Sequence, residues 1–326
     1  MAGASGYTGA LAAQLIWRHP DFELATVTSR SDVGRRLDEL YPHYRVPLTL
    51  EELDLDRHSR VDAAIVAYPH GTSAPVVASL REGGVRVVDL SADFRLRDRS
   101  AYERWYGEHG APELLADAVY GLPELYRERL RDADLVANPG CYPTATLLAL
   151  APLAAAGLIA DAVVDAKSGV SGAGRAPTET THFVSADENV TPYGVGGHRH
   201  IAEIEQELAA LGADVAPAFT PHLLPLDQGE LVSCYVTVTE PLDGPPLAAL
   251  YDEYFAGEPF IELVSRPPGV RDVRDTNICR IAHHADARTG KVLVFAAIDN
   301  LWKGAASQAV QNLNLMFGLP ETAGIS

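Results

Sequence analysis

The chain has 326 residues, 47% hydrophobic and 21% charged, ordinary globular material long enough for two domains with cores of their own. Lys and Arg number 26 against 44 Asp and Glu, a net charge of −18, so the overall field repels nucleic acid and anionic membranes. Three well-separated cysteines, Cys141, Cys234 and Cys279, fit neither a disulfide framework nor a Cys-x-x-Cys metal site, and point to a reducing, cytoplasmic setting. Every long apolar run is broken by Gly, Pro or charge, which argues against a signal peptide or a membrane span.

The chain opens with Gly3-Ala4-Ser5-Gly6-Tyr7-Thr8-Gly9, followed by helical periodicity over residues 10–18. Glycines three apart that lead into a helix let a pyrophosphate approach backbone N–H groups at the helix's positive end. Only Met1 and Ala2 precede them, so the apolar strand that opens such a unit reads as truncated. Residues 23–28 predict a strand ending in Ser29-Arg30-Ser31. An acidic residue at that strand end would accept hydrogen bonds from a ribose 2′-hydroxyl; Ser29 and Arg30 suit a 2′-phosphate instead. With Arg35 and Arg36 close behind, and Asp32 the one acid near, the pattern favours NADP over NAD.

Residues 61–67 and 85–90 predict further strands, each followed by a loop that opens a helix. Such alternation implies a parallel sheet with functional loops at the carboxyl ends of its strands. His70, inside Pro69-His70-Gly71, reads as a hydrogen-bonding brace. Residues 133–137 predict a buried strand and 145–151 a helix, which puts Cys141 of Asn138-Pro139-Gly140-Cys141-Tyr142-Pro143-Thr144 on the turn between them. A lone cysteine on a helix face is more often a core thiol. Here Gly140 allows a sharp turn, Pro143 fits a first helical turn, and the positive end of the helix favours a thiolate nucleophile.

Beyond that helix, residues 162–166, 212–216, 231–239, 260–264 and 291–299 predict strands with helices between them, a second domain built on a mixed sheet. Residues 167–175 form a Gly/Ser-rich loop whose N–H groups can make an anion-binding concavity, with Ser168, Ser171 and Arg175 adding donors. Residues 193–200 place His198 and His200 on either side of Arg199, just ahead of a helix from Ile201. If that stretch is extended, residues two apart face the same way, so both imidazoles can point toward Cys141. A metal needs a third and usually a fourth ligand at suitable spacing, and no such local set accompanies the two histidines, so no metal is predicted.

These segments are joined by Asp89-Leu90-Ser91-Ala92-Asp93-Phe94-Arg95, Trp105-Tyr106-Gly107, Tyr120-Gly121-Leu122-Pro123-Glu124, Phe219-Thr220-Pro221-His222-Leu223 and Asp299-Asn300-Leu301-Trp302-Lys303-Gly304-Ala305-Ala306. In order and spacing the whole set resembles the N-acetyl-gamma-glutamyl-phosphate reductase family of semialdehyde dehydrogenases. The resemblance implies an α/β fold: a Rossmann-type NADP-binding domain over 1–140, completed by the C-terminal helix 303–326, and an α+β catalytic and dimerisation domain over 141–302. It implies a homo-oligomer of two or four chains. The reaction implied is NADPH-dependent reduction of an acyl phosphate to a semialdehyde in arginine biosynthesis, through a thioester on Cys141. His200 takes the acid/base role, with His198 the competing choice.

Cofactor contacts then fall to Gly3, Ser5, Gly6, Tyr7, Thr8, Gly9, Ser29, Arg30, Ser168, Gly169 and Asn300, and substrate contacts to Arg95, Arg175 and Arg199. The departure from the family pattern lies at 225–231, where members commonly carry an Arg before the glycine and an apolar residue after it. Gln228 stands at the Arg position, so either Arg199 or Arg175 carries more of the anion recognition or the substrate differs. Aspartyl-phosphate or aminoadipyl-phosphate reduction on the same scaffold is the nearest alternative, and a non-catalytic NADP-binding protein the distant one.

Overall fold

The computed structural model describes residues 1–58 and 60–325, so Ser326, the end of the C-terminal segment expected over 303–326, lies outside the described residues. The chain forms two compact units, one of Met1–Gly140 with the segment from Ala305 onward, the other Cys141–Gly304.

The first unit is built on four parallel strands, β1 (Ala63–Val66), β2 (Arg86–Asp89), β3 (Val119–Tyr120) and β4 (Leu135–Ala137), in the order β1-β2-β4-β3. β1 and β4 are short apolar runs and β2 carries Val87 and Val88 between Arg86 and Asp89, without the alternation of a half-exposed strand, as a sheet covered on both faces requires. Ala2 extends the sheet beyond β1 through parallel bridges to Val66 and to Thr28, and Thr28 in turn bridges Glu51. The strand expected over 23–28 is therefore reduced to its last residue. Thr26 O accepts from the Met1 amino group at 2.9 Å and Val27 O from Glu51 N at 3.0 Å, while Leu24 and Thr26 line a cavity of about 500 Å³ with Met1, Ala63, Ile65 and Phe317.

The glycine loop is fixed by space. Gly3 has a φ of +82°, and a Cβ on it would lie 2.5 Å from the Ala67 carbonyl oxygen; one on Gly9 would lie 2.1 Å from that of Gly3. The helix Tyr7–Trp17 that follows is buried along most of its length. His70 braces the neighbouring loop, its Nδ1 accepting from Ala92 N at 3.0 Å. The last helix, Ser307–Met316, returns to this unit and buries an amide-rich face. Asn312 Nδ2 donates to the Gly121 carbonyl at 2.8 Å and to Asn138 Oδ1 at 3.0 Å, and Asn314 Oδ1 meets His19 Nε2 at 3.0 Å.

The second unit has a seven-stranded mixed sheet in the order β6-β7-β5-β8-β11-β10-β9. Its strands are β5 (Ile159–Gly169), β6 (Thr191–Pro192), β7 (Ala218–Leu224), β8 (Glu230–Val238), β9 (Ile261–Leu263), β10 (Cys279–Asp286) and β11 (Lys291–Ile298). The strand expected over 212–216 lies further on, at β7, because Ala213 N closes the preceding helix onto the Leu208 carbonyl and Gly212 turns the chain at φ +103°. β10 escapes the sequence reading because Arg280, His283 and His284 interrupt its apolar residues.

On one face of this sheet Val164, Cys234 and Val294 align across three strands, as do Ala166, Val232 and Ala296. That buried face packs against the helix Cys141–Ala155, in which every residue from Tyr142 to Ala154 is buried. A helix apolar all round belongs inside a core. Tyr251 donates to its Ala149 carbonyl at 2.6 Å. Gly9→Ala should lower stability by about 1–3 kcal/mol, the cost of forcing a methyl into filled space. A thermal melt checks this through a reduced Tm.

Candidate active site

In the first unit the glycine loop, Ser29 and Arg30 form one neighbourhood. Ser5 Oγ and Ser29 Oγ are 2.8 Å apart, Tyr41 donates to the Ser5 carbonyl at 2.8 Å, and Tyr7 packs edge-on against Tyr41. The first turn of the helix from Tyr7, with Thr8 and Gly9 in it, carries N–H groups that have no intrahelical acceptor. Gly3 and Gly9 leave a backbone cradle that any Cβ would fill. Gly6 is less constrained, since a Cβ on it would lie 4.0 Å from the Gly3 carbonyl oxygen. Among the basic residues beyond the loop, Arg35 pairs with Asp32 and Arg36 with Asp38, while the guanidinium of Arg30 is exposed and bonds to no side chain among the described residues. This chemistry fits a pyrophosphate and a 2′-phosphate.

Arg95 is buried in the same unit, its Nε donating to the Asn138 carbonyl at 2.7 Å and its Nη2 to that of Leu90 at 2.9 Å. It holds the turn that leads to Cys141. Asp89, below it, is buried between the hydroxyls of Ser73 and Ser91, and burial lifts its carboxyl to about 6.

The second unit begins at Cys141, which is the first residue of its helix and half-buried. A Cβ on Gly304 would come within 2.8 Å of the Cys141 Cβ, so only glycine lets the 302–306 turn approach the thiol. That turn is a short π-helix, Trp302–Ala306, a rare geometry that recurs at functional sites. Tyr142 is fully buried next to the thiol, with its hydroxyl 2.9 Å from that of Tyr193. Burial pushes both phenols well above their ordinary range, so both keep their protons.

Around the Tyr142 ring stand His198 at 5.7 Å, His200 at 5.9 Å and Phe219 at 5.4 Å, centroid to centroid, and the two imidazoles lie 4.8 Å apart. The stretch is not extended as expected. Arg199 has helical dihedrals and His200 opens the helix His200–Ala210, so the imidazoles meet through a helical turn rather than through strand alternation. His198 Nδ1 accepts the His200 backbone N–H at 3.2 Å, which fixes the start of that helix. Burial first, and then the Arg199 charge, lower the His198 pKa to about 4. His198 is therefore neutral at physiological pH. Glu203, one turn along from His200, is buried as well.

The 167–175 loop does not form the open concavity expected over its first half. The N–H groups of Gly169, Val170 and Ser171 donate to the carbonyls of Gly229, Leu226 and Asp227. Ser168 and Asn300 are buried; Asn300 accepts from Gly229 N at 2.7 Å and donates to Ser171 Oγ at 3.1 Å, while a Cβ on Gly169 would strike the Asp227 carbonyl. These residues lock two loops together. Gln228 donates to Asp275 at 2.7 Å and Asp299 at 3.0 Å, so its amide meets two acids of its own chain. Arg175 and Arg199 are exposed.

Glu230 was missed by the sequence reading. It is fully buried at the start of β8, and desolvation raises its carboxyl to about 8, offset in part by the Cys141 thiol. The signal was present: 230, 232, 234 and 236 share one strand face, and the last three are apolar.

Two family models match the chain, the semialdehyde dehydrogenase NAD binding domain over residues 1–133 and the semialdehyde dehydrogenase dimerisation domain over 141–300. The chain belongs to the semialdehyde dehydrogenase family. It is 51% identical to the N-acetyl-gamma-glutamyl-phosphate reductase of Desulforudis audaxviator, over 100% of this chain and 96% of that one. With the protein of that name from Moorella thermoacetica it shares 49% identity, over 99% and 96%. Among solved structures it is similar to aspartate semialdehyde dehydrogenase II of Vibrio cholerae, with a TM-score of 0.74 at 21% identity over 97% of each chain. A semialdehyde dehydrogenase with NADP from Candida albicans gives 0.71 at 15% identity, over 97% of this chain and 98% of that one. These two likenesses concern the fold.

The His198 environment carries a pH signature. Its folded-state pKa lies below the unfolded value of 6.5, so the contribution of neutral His198 to stability is present above pH 6.5 and lost as pH falls toward about 4. His198→Asn should make the acid side of the stability profile shallower in that window, as read by urea melts at a series of pH values.

Proposed function

We propose that this chain is an NADP-dependent oxidoreductase that reduces N-acetyl-gamma-glutamyl phosphate to N-acetylglutamate semialdehyde and phosphate, a cytoplasmic step of arginine biosynthesis. The observation that carries the reading is Cys141 at the head of a buried helix, with the paired imidazoles of His198 and His200 gathered on the adjacent Tyr142 ring. The two relatives at about half identity over the full length, which bear that reductase name, support the choice of substrate.

Cys141 attacks the acyl carbon, the bond to phosphate breaks, and a thioester remains on the sulfur. When bound, NADPH supplies the hydride that reduces this thioester. Gly3, Ser5, Gly6 and the Tyr7–Gly9 turn would hold its pyrophosphate, and Ser29 and Arg30 its 2′-phosphate. His200 protonates the oxyanion of the thiohemiacetal on Cys141, then takes that proton back as the carbon–sulfur bond breaks and the aldehyde leaves. His198, neutral and bonded to the His200 backbone, positions its neighbour rather than exchanging protons. Arg175 and Arg199 offer exposed guanidinium groups to the substrate's carboxylate and phosphate, while Arg95 acts by holding the Asn138 turn. Ser168, Gly169 and Asn300 shape the loop beside that site.

No helix among the described residues is long and apolar enough to cross a membrane. The second unit matches a dimerisation domain, and Val163 and Tyr235 stand opposite each other on its sheet, 41% and 38% exposed. A second copy of the chain covering that face makes a homo-oligomer.

Cys141→Ser should abolish turnover and leave NADPH binding intact, since a serine hydroxyl is a much weaker nucleophile. Phosphate-dependent oxidation of N-acetylglutamate semialdehyde, run beside aspartate semialdehyde, reads both the loss and the substrate preference; near-normal activity in the serine variant contradicts the covalent route. Arg30→Ala should weaken NADPH binding by roughly 10- to 100-fold, the worth of a charge-assisted phosphate contact, with little effect on NADH. Fluorescence titration with each cofactor checks it.

A further inference from the structure

The turn after Ser29 carries a carboxylate at the point where a dinucleotide fold decides between its two cofactors. An acid there accepts hydrogen bonds from a free ribose 2′-hydroxyl and repels a 2′-phosphate. Asp32 is such an acid, two residues beyond Arg30, with a side chain 11% exposed. Its charge is answered from within the turn. Oδ2 accepts the Ser31 hydroxyl at 2.8 Å, and Oδ1 meets Nη1 of Arg35 at 3.4 Å.

An ion pair between residues three apart on an exposed loop is ordinarily loose. This one is framed by backbone. Arg35 N donates to the Asp32 carbonyl at 3.2 Å across a turn in which Gly34 takes φ +84°, a left-handed conformation that glycine adopts without strain. Leu50 holds the turn from the other side: Gly34 N donates to its carbonyl at 2.8 Å, and its own N–H donates to the Arg35 carbonyl at 2.8 Å. The Arg35 guanidinium, 51% exposed, is thereby kept at Asp32. The turn is also joined to the glycine loop, since Ser29 Oγ accepts from Ser31 N at 3.2 Å and Asp32 N at 3.1 Å and lies 2.8 Å from Ser5 Oγ.

Neighbouring charges are matched in the same way, Arg36 with Asp38 and Arg57 with Glu51. Arg30 has no ion pair among the described residues. The turn therefore offers one unmatched cation, and does so only while Arg35 answers Asp32. Without Arg35 the charges of Arg30 and Asp32 would cancel.

We propose that Asp32 and Arg35 set the cofactor preference: Arg35 neutralises a carboxylate that would otherwise repel the 2′-phosphate of NADP and accept the 2′-hydroxyl of NAD. Arg35 is a positioning residue that acts through Asp32, in contrast to Arg30, whose guanidinium grips the phosphate itself. The inference rests on the Ser29-Arg30 turn as the 2′-phosphate site proposed above. It makes no use of the acyl substrate.

The test is fluorescence titration of the full chain with NADPH and with NADH, for Arg35→Ala, Asp32→Asn and the double variant. In Arg35→Ala the NADPH affinity should fall by about tenfold, the size of a like-charge contact near a protein surface. NADH affinity should rise by about threefold, as the released carboxylate takes a hydrogen bond from the 2′-hydroxyl. Adding Asp32→Asn to Arg35→Ala should return NADPH affinity to within about twofold of wild type, because removing the acid removes the need for its cation. Asp32→Asn alone should tighten NADPH by roughly threefold, with Arg35 then adding to the positive field of Arg30.

Neither a packing role nor a direct grip on the phosphate gives this pattern. Equal weakening of both cofactors in Arg35→Ala would make the pair a brace of the turn and overturn the inference. So would a loss confined to NADPH that Asp32→Asn does not restore, which would make Arg35 a phosphate ligand in its own right. Should Arg35→Ala not fold, Asp32→Asn still decides, since weaker NADPH binding in that variant contradicts the inference. Arg30→Ala separates this inference from its premise. Unchanged NADPH affinity there would overturn both, whereas a loss in Arg30→Ala with none in Arg35→Ala would sink the role of Arg35 alone.

Discussion

The second unit depends on one packing constraint: a helix apolar on all sides, closed against the buried face of a mixed sheet, has Cys141, the proposed nucleophile, as its first residue. Because Tyr142 to Ala154 are all buried, the helix has no freedom to shift along or rotate over β8 and β11. Cys141 is therefore placed by the core rather than by a flexible loop. Gly304 approaches so closely that a single methyl there would collide with it. Catalytic groups held within fractions of an ångström need rigid support of this type.

The same burial sets the protonation states around the thiol. Desolvation disfavours whichever form is charged, so it lowers the imidazole of His198, raises the carboxyl of Glu230 and raises the phenols of Tyr142 and Tyr193. In the proposed function, anion recognition falls to exposed guanidinium groups, Arg30 in one unit and Arg175 and Arg199 in the other.

Much of this was legible in the sequence where a residue type is forced by space. Gly3 and Gly9 announce a backbone that nothing larger can enter, and the Pro-Gly turn before Cys141 announces a helix start. Less legible were features set by distant partners. The strand expected over 23–28 needs ladder neighbours that its first residues lack, and 212–216 looked like a strand because its apolar residues are those of a helix end. The imidazole pair was foreseen for the wrong reason, since Arg199 is helical and strand alternation does not apply. Glu230 drew no reading of its own from the sequence, and it is the register with Ser168 and Ile298 that continues the buried face to it.

The central claim is that the acyl group passes through a covalent bond to Cys141. The most direct measurement mixes the enzyme with N-acetylglutamate semialdehyde and NADP in the absence of phosphate, and follows NADPH absorbance together with the intact mass of the chain. Aldehyde and thiol then give a thioester with release of one hydride to the cofactor, and with no phosphate to accept the acyl group the reaction halts there. The account predicts a burst of about one NADPH per chain and an N-acetylglutamyl adduct that peptide mapping places on Cys141. No burst and no adduct, in an enzyme that turns over once phosphate is added, would contradict it.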